Sequence, residues 1–408
     1  MSLRIAVVGS GVAGGAIASG LRDTPGVEIF CIEPSGPDDH AHAGNGLNLG
    51  PNALTALEAT IPELAERLVH QGLPWTIWRA QLADQTPLYS IKLTEVAPRA
   101  GVRIRWSELY EAVRRDARDR IAFNTECGPL TVQSDGRLSL VTRSGTQLSP
   151  VTLNDLDFIV AADGRYSAIR ESLLGAPQPR HRGIANFRAL VDDDGAISID
   201  DMEQWFNGPR RLIAFRLPGG LIYVSGNLPI SPGEDVPSHY RDPDFLRNAY
   251  ADGFTNPDPR LLKLADVFAT NAASMHWARA QEIEPCFEAV QGRVIFVGDA
   301  SHGMCPTLGQ GATQALEDAA SVVELIRTFA ANTEAHPANI ANAYSRLRRE
   351  RIDFVRQFSW DASDALIHGA DPIRTNRAKQ GPEYRTKLTQ LYNKIPSVAD
   401  ISLNEGLN

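Results

Sequence analysis

The chain has 408 residues, of which 43% are hydrophobic and 22% charged, and its formal net charge is −9. This length suits two packed domains, and the acidic balance argues against broad binding to nucleic acid or to an anionic membrane. No run approaches the roughly 18 apolar residues that a membrane-spanning helix needs, and the N-terminus lacks the features of a signal peptide. The four scattered cysteines show no CxxC spacing, so we expect free thiols, no metal site and a cytoplasmic location.

Two apolar runs near the N-terminus, Arg4–Val8 and Val27–Ile32, flank a glycine turn and a helical stretch over Val12–Arg22. This β–α–β order predicts the start of a doubly wound, mostly parallel sheet of the α/β class. The apolar runs Leu156–Ala162 and Arg293–Val297 are expected to return to the same sheet.

The first glycine turn carries the pattern GxGxxG over Gly9–Gly14, directly after a strand and at the start of a helix. Such glycines allow a tight turn and a close approach of a pyrophosphate to the backbone, and the helix start offers unpaired N–H groups. Glu33 ends the second strand, near the offset expected of a carboxylate that binds a ribose. These features predict a dinucleotide site, for FAD or NAD, formed by Gly9, Gly11, Val12, Ala13, Gly14 and Glu33.

Two later strands also end beside a carboxylate. The run from Phe158 ends at Asp163-Gly164, and the run from Val294 ends at Gly298-Asp299 and continues through Pro306–Gly311 into a helix. Carboxylates at the carboxyl ends of sheet strands face the crevice where ligands bind. Both aspartates are also suited to cap helices, which is compatible with ligand contact.

The three motifs, in this order and spacing, resemble the single-component FAD-dependent aromatic hydroxylases, the group that includes salicylate, hydroxybenzoate and 6-hydroxynicotinate hydroxylases. The resemblance covers residues 1 to about 365 and includes the glycine-rich segment Gly44–Asn52. It implies non-covalent FAD, with NADH or NADPH as a transient co-substrate. It also implies hydroxylation of a small phenolic, aromatic-acid or hydroxypyridine ring by O2 through a flavin hydroperoxide, in a monomer or homodimer.

The resemblance implies roles for individual residues. Glu33 would hold the adenosine ribose, Asp299 the ribityl chain, and Asp163 both the flavin and the nicotinamide nucleotide. Trp106 stands where the family usually has an arginine, so Arg105 is the predicted FAD contact there. The segment expected against the isoalloxazine contains Pro306, Gly309, Gln310, Gly311 and Ala312.

Between the nucleotide motifs, the runs Gly183–Leu190, Arg211–Leu217 and Gly220–Leu228 predict a mostly antiparallel inserted sheet, and residues from Thr313 to about Asp364 follow a helical pattern. We therefore predict two domains and a tail. The predicted FAD-binding domain comprises residues 1–74, 98–173 and 287–365, the substrate domain 75–97 and 174–286, and the helical or irregular tail 366–408.

The inserted sheet is predicted to line the substrate pocket. Strand alternation places Arg211, Ile213 and Phe215 on one face and Arg216 on the other, which sets a partner for a carboxylate or phenolate beside an aromatic wall. The resemblance also places Arg211 and Phe215 at the substrate, although each arginine is nearly as well explained as a surface charge. The predicted substrate contacts are Arg188, Arg211, Phe215 and Tyr223.

A base near the ring hydroxyl would make the ring more nucleophilic. The predicted candidates are His302 and a water held by Asn48 and Tyr223. His302 is equally well explained as a core residue that satisfies buried hydrogen bonds. For the remaining residues the structural interpretation is favoured: a solvated helix face for Arg346, Arg348, Arg349 and Arg351, packing for Trp75 and Trp78, and a small apolar filler for Cys305.

Other functions of the same motifs stay open. FAD enzymes with this fold include epoxidases, quinone-ring hydroxylases and reductases. A plain NAD-dependent dehydrogenase would purify without a yellow colour. A non-catalytic FAD-binding redox module would hold FAD but would not oxidise NAD(P)H with any ligand.

Overall fold

A computed structural model of the chain describes residues 2–40, 45–145, 149–273, 275–331 and 337–401. Gly44 of the glycine-rich segment and residues 402–408 of the predicted tail lie outside the described residues. The strands are β1 Leu3–Val8, β2 Val27–Ile32, β3 Gly46–Leu49, β4 Leu73–Trp75, β5 Ile77–Leu82, β6 Pro87–Lys92, β7 Gly101–Arg105, β8 Ile121–Ala122, β9 Thr125–Val132, β10 Leu138–Ser144, β11 Val151–Leu156, β12 Phe158–Ala161, β13 Arg180–Asp192, β14 Met202–Asn207, β15 Arg210–Leu217, β16 Leu221–Pro229, β17 His276–Glu282, β18 Glu288–Ala289 and β19 Val294–Phe296. The α-helices are α1 Val12–Leu21, α2 Pro51–Thr60, α3 Pro62–Gln71, α4 Trp106–Arg114, α5 Ala168–Leu174, α6 Pro243–Asn248, α7 Pro259–Asn271, α8 Asp299–His302, α9 Gln310–Ala330, α10 Pro337–Ala362, α11 Pro372–Ala378 and α12 Pro382–Asn393.

The first sheet has the strand order β18-β19-β12-β1-β2-β8. Its neighbours are parallel except for the pair β18–β19. All four runs predicted for this sheet, at the two N-terminal strands and at β12 and β19, lie in it. The predicted α/β class with a mostly parallel sheet is therefore confirmed.

The two faces of this sheet are covered differently. Ile5, Val7 and Val160 are fully buried on one face, against residues of α1 and α9 such as Ile17 and Leu316. The opposite face packs on a three-stranded antiparallel sheet, β11-β10-β9. Burial of each such Val or Ile contributes about 1.5–3 kcal/mol, so both layers hold the parallel strands in place. The three-stranded layer was not predicted.

A second, seven-stranded sheet has the order β17-β13-β16-β15-β14-β5-β6. It is antiparallel except for the parallel pair β14–β5, so the predicted antiparallel sheet is confirmed, with β13, β15 and β16 at its centre. One face packs against α6 and α7 through Phe187, Leu212 and Phe268. The other face carries the aromatic wall that was predicted for the substrate pocket. Arg216 points away from that wall and donates to Ile199 O at 2.9 Å.

The C-terminal part is helical. The long helical pattern predicted after Thr313 forms α9 and α10, and the tail forms α11 and α12 as far as residue 401. In the described residues, no helix combines the length and apolar character needed to cross a bilayer. The domain boundaries given above stay a prediction.

Candidate active site

A cavity of about 490 Å³ is lined both by the nucleotide motifs of the first sheet and by the wall of the second. Twelve predicted site residues line it: Gly11, Val12, Ala13, Asn48, Arg188, Phe215, Tyr223, Asp299, Pro306, Gly309, Gly311 and Ala312. The predicted site residues that do not line it are Gly9, Gly14, Glu33, Arg105, Asp163, Arg211, His302 and Gln310.

The glycine turn between β1 and α1 is closed on one side and open on the other. Gly9 has φ +91°, and a Cβ on it would lie 2.6 Å from Ala162 O. A Cβ on Gly14 would lie 1.9 Å from Gly9 O, so α1 packs too closely on the turn for any side chain there. A Cβ on Gly11 would meet nothing within 4 Å. The backbone at Gly11, the residue just before α1, is therefore accessible from the cavity, as a pyrophosphate site requires.

Glu33, at the end of β2, is 6% exposed and holds this turn from behind. Its Oε2 accepts hydrogen bonds from Ser10 N at 2.7 Å and Ser10 Oγ at 2.9 Å, and its Oε1 accepts from Ser35 N at 3.1 Å. Arg114, which sequence reasoning missed, lies 3.5 Å from Oε2 and donates to Ser10 O at 2.6 Å. Burial opposes the charge, but these hydrogen bonds and Arg114 outweigh it and lower the pKa of Glu33.

Replacing Glu33 by Gln should weaken FAD binding about tenfold or more, because charge-assisted hydrogen bonds are worth about 1.5–3 kcal/mol. The matched control is Glu28→Gln on the same strand, whose side chain is 49% exposed. FAD titrations followed by flavin fluorescence would measure both. Equal dissociation constants for the two variants would show that Glu33 does not support the nucleotide site.

Arg105 does not face the cavity. It precedes α4, and its Nε is buried without a hydrogen bond in the described residues. The cavity is instead lined by Trp106 and Tyr110 from α4. Together with Arg114 they follow an i, i+4, i+8 spacing, which places all three on one helix face. This spacing in the sequence could have predicted that Trp106, Tyr110 and Arg114 belong to the site.

The two predicted aspartates are placed differently. Asp163 Oδ2 accepts from Ile169 N at 3.1 Å near the start of α5, whereas Oδ1 is buried without a partner in the described part of the chain. Burial raises the pKa of Asp163. Asp299 is exposed and lines the cavity beside Gly311. Only Asp299 therefore presents its carboxylate directly to a ligand in the cavity.

The start of α9 faces the cavity through Gly309, Gly311 and Ala312. Gly309 has φ +66°, the left-handed conformation that permits the turn from Pro306–Leu308 into the helix. Gln310 is fully buried, and its Oε1 accepts from Asn52 at 3.1 Å. Because the first N–H groups of a helix have no internal partners, this 21-residue helix offers donors and a partial positive charge to the cavity.

Behind the start of α9 lies an acid–arginine network formed by Glu317, Asp318, Arg348, Arg351 and His302. Arg348 lies 2.8 Å from Glu317 and 2.7 Å from Asp318, and Arg351 lies 2.7 Å from Glu317. Arg348 is fully buried and Arg351 is 5% exposed. The predicted solvated face is therefore wrong for these two arginines and holds only for Arg346 and Arg349, which are exposed.

His302 belongs to the same network. It is 1% exposed, and its Nε2 lies 2.6 Å from Asp318 Oδ2, while its Nδ1 has no partner among the described residues. This arrangement matches the core interpretation, because the ring meets a carboxylate behind α9 and does not line the cavity. Cys305 is likewise fully buried and contacts Thr307 at 3.3 Å, as expected of a filler.

The acid–arginine network should make stability sensitive to acid. Burial opposes the ionisation of both carboxylates. Arg351 and Arg348 nevertheless hold the pKa of Glu317 at about 2. His302 and Arg348 hold the pKa of Asp318 at about 2. In the unfolded chain the pKa values of these carboxyl groups are near 4. The two carboxylates therefore contribute fully to the free energy of unfolding above pH ~4, and this contribution is lost as pH falls towards 2. We expect the midpoint of thermal unfolding to fall steeply between these pH values. An unchanged midpoint would exclude a stabilising role for these carboxylates.

The opposite wall of the cavity is aromatic. Phe215 and Tyr223 stack with ring centroids 4.6 Å apart at 28°, next to Ile213. Trp75 and Trp78 are each 2% exposed, as packing residues would be, yet they also line the cavity. A planar ring therefore finds hydrophobic and π contacts on this side.

Asn48 and Tyr223 are among the polar residues that line the cavity. Asn48 donates to Met202 Sδ at 3.1 Å, and its Oδ1 is buried without a partner in the described residues. Tyr223 lines the cavity and is 8% exposed. Asn48 and Tyr223 are thus available to a ligand or a water in the cavity, whereas His302 is not.

The residues present fit FAD. The backbone at Gly11 is open to the cavity, Asp299 reaches it, and Asp163 and Asn48 each carry a buried oxygen without a partner in the described residues. Buried polar atoms are rarely left unpaired, so these oxygens indicate a polar ligand or ordered water. The fold and the site together define a dinucleotide-binding flavoprotein with a separate face for a ring.

Comparison with known proteins gives the same class. A family model described as "FAD binding domain" matches residues 266–359. Salicylate hydroxylase of Pseudomonas putida is 27% identical over 96% of this chain and 93% of that enzyme. 3-Amino-4-hydroxybenzoate 2-monooxygenase of Streptomyces cremeus is 29% identical over 98% and 97% of the two chains. Among solved structures, Klebsiella pneumoniae HpxO complexed with FAD and uric acid has a TM-score of 0.79 at 21% identity and covers 97% of both chains.

The structural likeness establishes the fold, and the sequence relatives extend over nearly the whole chain. Over nearly its whole length the chain is therefore similar to FAD-dependent aromatic hydroxylases.

Proposed function

We propose that the protein is an FAD-dependent monooxygenase that hydroxylates a small aromatic or heteroaromatic ring, with NADH or NADPH as the reductant. The observation that carries the proposal is that one cavity joins the nucleotide motifs to the aromatic wall. The relatives point the same way, because their names describe a hydroxylase of salicylate and a monooxygenase of 3-amino-4-hydroxybenzoate.

The residues that would hold FAD lie on the first sheet. The turn at Gly11 and the start of α1 would hold the pyrophosphate, since Glu33 and Arg114 fix that turn. Asp299 and the start of α9 would contact the rest of the cofactor. When bound and reduced, FAD supplies the activation of O2 for transfer of one oxygen atom to the ring. The chain's own task is to orient the ring and to exclude water from the cavity.

Of the residues predicted to act on the ring hydroxyl, Tyr223 and Asn48 line the cavity and His302 does not. We propose that they hold the hydroxyl or a water beside it, and that they polarise it towards the phenolate. His302 is proposed as a positioning residue, since it fixes Asp318 behind α9 and does not reach the cavity.

Replacing Tyr223 by Phe should lower kcat about 10- to 100-fold, because a hydrogen bond to a charged group is worth about 1.5–3 kcal/mol. Phe keeps the stacking on Phe215, so FAD binding should stay unchanged. Tyr240→Phe is the control, because that hydroxyl donates to Pro229 O at 2.7 Å, away from the cavity. Equal kcat values for the two variants would remove Tyr223 from the proposed mechanism.

The proposal is tested by the absorption spectrum of the purified protein, followed by oxidation of NADH and NADPH with hydroxybenzoates and hydroxypyridines. Flavin bands with ring-stimulated turnover and a hydroxylated product are expected. A protein that cannot be reconstituted with FAD would overturn the proposal. Stable FAD without NAD(P)H oxidation under any ligand would instead indicate a redox module.

A further inference from the structure

A row of three polar side chains crosses the second sheet beside the cavity. Asn186 of β13, Asn227 of β16 and Arg211 of β15 lie directly opposite one another on adjacent strands. Side chains in such positions are neighbours, with Cβ atoms about 5 Å apart. Their exposed fractions are 6%, 4% and 5%, and of the three only Asn186 lines the cavity. We call these three residues the amide relay.

Arg211 fixes the direction of every hydrogen bond in the amide relay. A guanidinium has five donors and no acceptor, so the amide of Asn227 must turn its oxygen towards Arg211. The Nε of Arg211 accordingly donates to Asn227 Oδ1 at 2.7 Å. The Nδ2 of Asn227 then donates to Asn186 Oδ1. Rotating either amide by 180° would set two donors against each other, so both amides are held in one orientation.

The amide relay therefore ends in a hydrogen-bond donor. Since Oδ1 of Asn186 is occupied, its remaining polar group is Nδ2, to which no acceptor among the described residues bonds. The residue opposite Asn186 on β17 is Ala278, a small side chain that also lines the cavity. Each hydrogen bond polarises the next, starting from a positive charge, which strengthens the last N–H as a donor. The charge itself stays behind the wall, because Arg211 does not line the cavity.

The register of the strands sets the distance between this donor and Tyr223. Tyr223 lies on the same face of β16 as Asn227 and four residues away, which is about 13 Å along the strand. A hydrogen bond of about 3 Å at each end leaves about 7 Å between two groups of one ligand. A ring with a hydroxyl at one end and a carbonyl at the other has this span. Ile213, which pairs with the residue midway between them, lines the cavity and gives such a ring an apolar contact.

We propose that Asn186 determines the specificity of the cavity. Held by the amide relay, it donates a hydrogen bond to a carbonyl or other neutral acceptor that lies across the ring from the hydroxyl. The inference rests on the proposed function, in which Tyr223 holds that hydroxyl. Asn186 contacts the substrate, whereas Asn227 and Arg211 act through it as positioning residues.

The test is calorimetric titration of the FAD-loaded enzyme with neutral rings of matched shape. 4-Hydroxybenzaldehyde is compared with 4-vinylphenol, and 4-hydroxyacetophenone with 4-isopropenylphenol, because each pair exchanges a carbonyl oxygen for a CH2 group. The measured quantity is the affinity ratio of carbonyl to alkene within a pair, which a general loss of structure would not change. Replacing Asn186 by Leu should lower this ratio about five- to tenfold, the effect of one hydrogen bond.

Asn227→Asp changes the amide relay without altering the cavity wall. Asp has the same shape, but both of its side-chain oxygens accept. One oxygen accepts from Arg211, so Asn186 must rotate to donate its Nδ2 to the other and then presents its own Oδ1 to the cavity. A carbonyl would meet this oxygen, and the affinity ratio should fall below that of Asn186→Leu. Asn248→Asp, which adds the same charge at an exposed position of α6, is the control and should keep the original ratio.

The same ratio in the unaltered enzyme and in Asn186→Leu would overturn the inference. So would failure of all four rings to bind to an enzyme that holds FAD and oxidises NAD(P)H, and in both cases the proposed function would stand. If Asn227→Asp keeps the original ratio, the amide relay does not direct Asn186 and the inference fails. If Asn227→Asp does not fold, Asn186→Asp decides. One of its oxygens accepts from Asn227 and the other faces the cavity, so the ratio should fall in the same way.

Discussion

Replacing Arg348 by Leu should destabilise the protein by about 3–5 kcal/mol, the cost of removing one partner from a buried ion pair. The substitution removes the ion pairs of Arg348 with Glu317 and Asp318, and leaves Arg351 beside Glu317 and His302 beside Asp318 in the buried acid–arginine network. Whole domains are stable by only about 5–15 kcal/mol, so this is a large share. We expect the melting temperature to fall by roughly 5–10 °C.

Arg349→Leu is the matched control for this prediction. Arg349 is the next residue on α10, it is exposed, and its guanidinium lies 5.3 Å from the ring of Phe287. Its loss should cost less than about 1 kcal/mol. Calorimetric melting of both variants with and without FAD would separate the network's effect on the fold from any effect on the cofactor. Similar melting temperatures for the two variants would contradict the prediction.

Replacing Gly14 by Ala should abolish FAD binding and destabilise the apoprotein. The new Cβ would lie 1.9 Å from Gly9 O, which is backbone and cannot move aside cheaply. Helix α1 must then shift away from β1, and the turn that presents backbone N–H groups to a pyrophosphate is lost. Overpacking of this kind costs about 1–3 kcal/mol.

Gly11→Ala separates the loss of FAD binding from the loss of stability. Its Cβ meets nothing within 4 Å, so the apoprotein should melt close to the unaltered protein. The methyl group nevertheless enters the cavity at the turn, and FAD affinity should fall about tenfold or more. Melting curves of the apoproteins and FAD titrations would be compared for both variants. Normal FAD affinity in Gly11→Ala would mean that the pyrophosphate does not approach this turn.

The parallel sheet was predictable because its strands are short apolar runs that end in glycine or aspartate. The three-stranded layer β9–β11 was not predicted, since many of its residues are exposed, as in Val151–Leu156, and the strands carry little apolar signal. For the tail the prediction left helical and irregular structure open, because α11 and α12 are short and each begins at a proline. Their anchoring contacts, such as Gln380 with Leu88 O, connect residues nearly 300 positions apart.

Residues that a backbone pattern marks, such as Gly11 and Gly309, line the cavity, and their roles stay a prediction. The sequence was misleading where a charge is buried by its partners. Arg348 follows the buried Tyr344 by one helical turn, and Arg351 follows Leu347 likewise, so their spacing already placed them on the packed face of α10. Their charge favoured a solvent-exposed position, but Glu317 and Asp318 of α9 pair with them in the interior.

The order of strands in the first sheet has a consequence for how the chain folds. Strand β1 pairs with β12, about 150 residues later, and β12 pairs with β19, more than 130 residues after that. Contacts so distant along the chain make folding slow. During synthesis, the nucleotide site cannot close until the start of α9 has left the ribosome. Newly made chains therefore expose the edge of β1 until β12 is made, and the edge of β12 until β19 is made, when almost three quarters of the protein exists. Chaperones that cover strand edges should matter most in this interval.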